Sequence, residues 1–146
     1  MILVEIGRAV IFVGRQPPAL PADRNLHRIP HEVLALAHLG RHNLEQGGGH
    51  KIIAHLSHHY HSNPAKLRIT LTPAAGKNEY KIWALENIGM KEATFEQLAS
   101  AGVLQANIID APIETTSSAD YYSYSEFLKG NRDEDGDHAI VAMMTE

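Results

Sequence analysis

Between Pro30 and His61 the chain reads PHEVLALAHLGRHNLEQ, then GGG, then HKIIAHLSHHYH, and this stretch holds eight of the ten histidines. Imidazole exchanges protons near neutral pH and, when neutral, ligates borderline metals. His55 and His59 stand four residues apart, the spacing that stacks two side chains on one ridge of a helix and offers two nitrogens to zinc or a similar ion. If the segment is instead extended, His59 and His61 share a face, because strand side chains alternate. Either pair needs a third ligand from elsewhere, with Glu32 and His42 as candidates. No HExxH is present, so the general base of a metalloprotease has no expected place. The cofactor expectation is therefore either none or a divalent transition metal at His55, His59 and His61.

The second chemical candidate is GGGHK. A glycine-rich turn entering a helix presents free N–H groups and the positive end of the helix dipole, which suits phosphate. Gly48, Gly49, His50 and Lys51 form the expected anion-binding set. In a catalytic reading His50 is the acid or base and Lys51 the charge clamp. The spacing is not that of a Walker motif, and no Ser or Thr follows the lysine.

Two short resemblances touch these residues. His59-Tyr60-His61 resembles the metal-binding His-hydrophobic-His pair of the HUH endonucleases, which cleave single-stranded DNA with a tyrosine nucleophile. The resemblance implies Tyr121, Tyr122 or Tyr124 of YYSYSEFLK as that nucleophile. Here the motif is followed by Ser62-Asn63-Pro64 rather than a strand core, and the family's tyrosine-to-lysine spacing is not met. The run of a glycine-histidine helix entry, a strand hairpin and the T-x-E-[EQ]-L helix at 94–98 is loosely similar to viral ring nucleases acting on cyclic oligoadenylate. The N-terminal motif of that family is missing, so no membership follows.

Other patterns carry less. Asn131, Asp133, Asp135 and Gly136 match the first half of a calcium loop, but the twelfth position is Ala142 where a bidentate glutamate belongs. Residues 94–109 have a faint helix-turn-helix cadence, which Pro112 truncates and whose negative charge disfavours DNA. No order of Ser, His and Asp singles out a triad.

The elements that must position these groups are read from periodicity. Ile2, Val4 and Ile6, then Val10 and Phe12, alternate across Gly7-Arg8 as a hairpin or a bent strand. QPPALPAD is a loop, since prolines remove donors and fix φ. A first helix is expected from Pro30 to the glycines at 47–49, with Val33, Leu36, Ala37, Gly40 and Leu44 on its apolar face. A second follows with Ile52, Ile53, Leu56 and Tyr60 buried, ended by Asn63-Pro64. Residues 67–71 and 80–85 read as a hairpin across PAAGKN, with Trp83 in the returning strand. Thr94 and Gln97 have capping-box spacing for a helix closed by Gly102. A strand is expected over 103–109, a helix from Ser118 to Gly130, and a last strand in HAIVAMMT. Together these give an α+β fold with a mainly antiparallel sheet and helices packed on one side, as a single domain over residues 1–146.

With 146 residues, 44% hydrophobic and 21% charged, the chain is globular rather than disordered. It has no cysteine, which removes disulfides, thiolate nucleophiles and Cys-type zinc sites. No apolar run nears the roughly 18 residues of a membrane span. We therefore expect a soluble, cytoplasmic protein with no membrane partner. Through Arg68 there are eight Lys/Arg against four Asp/Glu, and from Ile69 onward five against thirteen. This asymmetry suits a phosphate-containing ligand on the basic N-terminal half, or attraction to a partner protein or a second copy. The leading expectation is a non-catalytic binding or regulatory module that self-associates. The alternative is a histidine-dependent hydrolase or nuclease-like enzyme, with a metal at His55/His59 or acid–base chemistry at His50, acting on a phosphate-containing substrate.

Overall fold

The computed structural model describes residues 33–138 together with 140 and 142, and the backbone of 2–5 and 11–14. In chain order the elements are β1 (Ile2–Glu5), β2 (Ile11–Gly14), β3 (Ala35–His38), α1 (Arg41–Glu45), α2 (Gly48–Tyr60), β4 (Arg68–Leu71), β5 (Lys81–Ile82), β6 (Ile88–Gly89), α3 (Met90–Ser100), β7 (Ile108–Asp110) and α4 (Tyr124–Leu128). Short 3₁₀ turns occupy Pro64–Lys66, Trp83–Leu85 and Gln105–Asn107.

β4 is the centre of the larger sheet. Its Ile69 and Leu71 are fully buried while Arg68 is exposed, the alternation expected of a strand with one face on the core. It pairs antiparallel with β2, Phe12 opposite Thr70, and parallel with β7, Ile69 opposite Ile108. β1 pairs in parallel with β3, from Ile2 opposite Ala35 to Glu5 opposite His38, and lies against β2 and β4. The parallel pairs require long crossovers, and the chain supplies them: residues 72–107 between β4 and β7 hold the β5–β6 hairpin and α3. The α+β expectation holds, but the sheets are small and mixed rather than mainly antiparallel.

α1, α2 and α3 pack on one another. Leu44, Ile53, Leu56 and Leu98 from these helices are each no more than 2% exposed and join Ile69 and Leu71 in one hydrophobic cluster. No helix among the described residues is long and apolar enough to cross a membrane.

Several element boundaries differ from expectation, each for a local reason. The helix expected from Pro30 is, over Ala35–His38, strand β3; its side chains alternate between half-buried and exposed, and Leu36 is 53% exposed. Pairing with β1 overrides a helical spacing that three alanine and leucine residues satisfy equally well, and the extended backbone at Gly40 (ψ 174°) delays the helix to Arg41. Pro30 itself lies outside the described residues. Residues 68–71 do not form a hairpin with 80–85, because β4 takes β2 and β7 as partners and β5 turns back on β6. Trp83 sits in the β5–β6 connection, 80% exposed. α3 begins at Met90, so Thr94 is in mid-helix, buried, and its hydroxyl donates to the Met90 carbonyl at 2.8 Å instead of capping. Gly102, at φ 90°, does close that helix. The fourth helix starts after Ser123 rather than Ser118. Tyr60, expected inside, is 53% exposed. The QPPALPAD loop and most of the HAIVAMMT segment lie outside the described residues.

Candidate ligand-binding cleft

The segments that follow β3, β4 and β7 come together on one side of the molecule. β3 ends at His38, whose carbonyl accepts a hydrogen bond from Asn43 Nδ2 at 2.8 Å, so the first turn of α1 is latched to the strand end. Gly40 leaves room for the His38 ring: a Cβ at this position would lie 2.7 Å from His38 Nε2, so a larger residue would make the imidazole shift. Beyond β4 and β7 the parallel pairing continues as a single bridge, Ala74 with Glu114. The Thr115 N–H donates to the Ala74 carbonyl at 2.8 Å, and the Gly76 N–H to Thr116 Oγ1 at 3.0 Å. These bonds hold Ala75, Tyr80 and Thr115 against the start of α1.

The remaining wall is the 116–132 segment, and it is pinned from behind. Arg132 Nη2 donates to the Thr116 and Ser118 carbonyls at 3.3 and 3.0 Å. Glu126, 7% exposed, accepts from Lys129 Nζ at 2.6 Å and Asn131 Nδ2 at 2.8 Å. Those two bonds, Lys129 first, hold its carboxyl below the ordinary value. The wall presents Tyr122, Ser123, Tyr124, Ser125 and Leu128.

Between these walls lies an open cleft of about 490 Å³, within the usual size of a small-molecule site. His38, Arg41 and His42 line one side, Tyr80, Tyr122 and Tyr124 supply phenol rings, and Ala75, Met90 and Leu128 supply apolar surface. No aspartate or glutamate is among its described lining residues. The Arg41 guanidinium lies 5.9 Å from the centre of the Tyr80 ring, a cation–π contact that fixes the charge over an aromatic face. Its Nε is buried with no hydrogen-bond partner, Glu45 Oε1 standing 3.8 Å away. His42 Nδ1 is 3.3 Å from the other oxygen of Glu45. The cleft thus offers a cation, imidazoles and aromatic faces, with the Glu45 carboxylate paired to Arg41 and His42 outside its lining.

Of the residues singled out by sequence, His42, Tyr122 and Tyr124 line the cleft, and the glycine-histidine and metal candidates fall elsewhere. Gly48, Gly49, His50 and Lys51 form the first turn of α2, after Gly47 in the left-handed region at φ 72°. The Gly49 N–H donates to Gln97 Oε1 at 2.9 Å, and a Cβ on Gly49 would lie 2.7 Å from the Gln97 Cβ. Gln97 Nε2 in turn donates to the Leu44 carbonyl at 2.8 Å. One buried amide therefore satisfies an orphan donor at the start of α2 and gives the Leu44 carbonyl at the end of α1 a second donor beside the Gly47 N–H. The Gly49 donor expected to face an anion is engaged by a protein side chain.

His50 is exposed, with Nε2 2.6 Å from Ser100 Oγ. That hydroxyl also reaches the Glu96 and Gln97 carbonyls at 2.8 and 3.1 Å. A serine has one proton, and a carbonyl can only accept. With the proton on a carbonyl, the imidazole N–H is the donor to Oγ, the reverse of a base activating a serine. Lys51 borders a shallower depression shared with His38 and His55.

His55, His58, His59 and His61 are all exposed. The His55 and His59 ring centres are 4.4 Å apart, and those of His58 and His59 5.0 Å. His59 and Tyr60 are helical and His61 is a left-handed C-cap, so the alternating strand geometry implied by the HUH resemblance is not formed. Among the described residues no three His, Asp or Glu side chains are grouped to hold a metal. Tyr122 and Tyr124, named as nucleophile candidates, instead line the cleft. Arg41 and Tyr80 were not anticipated; the available signal was Gly40-Arg41 at a strand end, which a helical reading of 30–46 concealed.

The class defined by the fold is an α+β domain with small mixed sheets whose strand-following segments border an open cleft. Two solved structures share this fold in part. One is the hypothetical protein YfiH of Bacillus licheniformis, at TM-score 0.50 and 19% identity. The other is YlmD from Geobacillus stearothermophilus, at 0.51 and 20%. Each alignment covers 56% of this chain and 39% of the other, so this chain matches about two-fifths of those proteins' length. No family model matches, and neither does any curated protein.

Proposed function

We propose that this chain is a binding module whose cleft takes a small anionic molecule carrying a planar ring. The observation that supports this is Arg41, held over Tyr80 at a cleft with three tyrosines and no lining carboxylate. Arg41 Nε is ion-paired with Glu45 Oε1 at 3.8 Å, and a guanidinium carries further N–H donors for an anion. Guanidinium pairs with carboxylate or phosphate in a fork, and phenol faces stack on rings. Arg41, His38 and His42 belong to the basic half of the chain, in keeping with a phosphate-containing ligand.

Calorimetry with phenyl phosphate, benzoate, inorganic phosphate and benzyl alcohol tests the reading. Phenyl phosphate should bind more tightly than either inorganic phosphate or benzyl alcohol, and Arg41→Ala should weaken it by about tenfold or more, the loss of one charged hydrogen bond. Equal binding of benzyl alcohol, or unchanged affinity in Arg41→Ala, overturns it.

A second reading, self-association, is favoured by strand β7. Among the described residues it pairs with β4 alone; its own Ile109 is 66% exposed, and Leu104 shortly before it 53%. Sedimentation equilibrium should show a dimer that Ile109→Lys dissociates; a monomer at all concentrations removes this reading.

A further inference from the structure

The ridge of α2 leaves His55 and His59 exposed outside the lining of the cleft. We infer that His55 and His59 form a chelating pair for a divalent copper or nickel ion, with water completing the coordination. The pair lies at i and i+4 on a thirteen-residue helix, both residues are exposed, and the rings already lean together with centres 4.4 Å apart and planes tilted by 40°. Metal–nitrogen bonds of about 2 Å place each ring centre about 3.2 Å from the ion, so a right-angled pair has centres about 4.5 Å apart and a tetrahedral pair about 5.2 Å. A separation of 4.4 Å between ring centres is one that two imidazoles on adjacent positions of a tetragonal copper(II) or nickel(II) ion can adopt.

The neighbouring histidines do not compete equally. His42 and His50 each have a ring nitrogen within hydrogen-bonding distance of Glu45 or Ser100. His58 faces His59 edge-on at 5.0 Å and is its chain neighbour, a position from which two imidazoles on one helix do not converge on one ion. Since no third protein ligand is grouped with the pair among the described residues, the ion keeps open positions. Imidazole must be neutral to ligate, so binding weakens in acid.

The test titrates copper(II), nickel(II) and zinc(II) separately into untagged, metal-stripped protein by calorimetry, with electron paramagnetic resonance of the copper form. One equivalent of copper should bind, more tightly than nickel and zinc, with splitting from two nitrogens. His55→Ala and His59→Ala should each weaken copper by about tenfold or more, since either leaves a single arm. His58→Ala should leave it unchanged. Nickel should raise the melting temperature of the wild type and not of His55→Ala, because a chelate across one turn braces the helix. If the single variants bind copper as the wild type does, or if His58→Ala loses as much, the ion is adventitious and the site is not there.

Discussion

The cleft and the histidine ridge of α2 divide the chemistry of this chain in opposite ways. The ridge is dense in one residue type and continuous in sequence, yet its imidazoles lie on an open helix surface and meet at most in pairs. The cleft draws residues from five separated segments, around 38–43, 75–80, 90, 115 and 122–128, and surrounds a volume with them. A helix ridge presents side chains at 5–6 Å intervals along a convex surface, so local density gives chelation at best. Concavity needs walls from different parts of the chain, which strand ends supply.

The residue that joins the two regions is Gln97, and its loss should have the largest effect. Gln97→Leu removes both the bond from Gly49 and the bond to Leu44 and leaves the buried Gly49 N–H unpaired, while the Leu44 carbonyl keeps its bond from the Gly47 N–H, at a cost of about 1–3 kcal/mol in urea unfolding. Affinity for phenyl phosphate should fall with it, since α1 carries Arg41. A variant with wild-type stability would mean that cleft and ridge are braced by something else.

Next comes the wall itself. Because Glu126 has a lowered folded-state value, its carboxylate adds stability that is complete above the ordinary value near 4.5 and is lost as pH falls through the lowered one. Glu126→Gln should therefore flatten the acid side of the stability profile, read from urea midpoints between about pH 3 and 7. An unchanged acid slope would show that the wall is not held by this carboxylate. The smallest change is expected at His50→Ala, which should stay within about 0.5 kcal/mol of wild type and bind cleft ligand equally well. Loss of ligand in that variant would relocate the anion site to the start of α2.

Legibility in the sequence followed the range of the interactions. The α2 helix and the Gly102 stop were readable because apolar spacing and glycine act within a few residues, whereas α2 ends at Tyr60 on a left-handed His61, ahead of the Asn63-Pro64 expected to end it. Ala35–His38 was misread because LALA satisfies a helical and an extended period alike, and only its partner β1, some thirty residues earlier, decides between them. Residues 68–71 looked like half of a hairpin because the nearest apolar run is at 80–85, whereas the actual partners lie at 11–14 and 108–110. The capping-box spacing at Thr94 failed because the helix begins a turn earlier at Met90.

By itself, then, the sequence determined the α+β character of the chain, the position of the histidine pair on one helical ridge and the basic lean of the half that carries Arg41. These follow from backbone periodicity and composition, which neighbours along the chain do not change. Only the tertiary structure decided that the sheet is mixed, that Gln97 engages the Gly49 N–H, and that Arg41 meets Tyr80 beside Tyr122 and Tyr124. Each depends on which distant strands pair, and local spacing does not encode that choice.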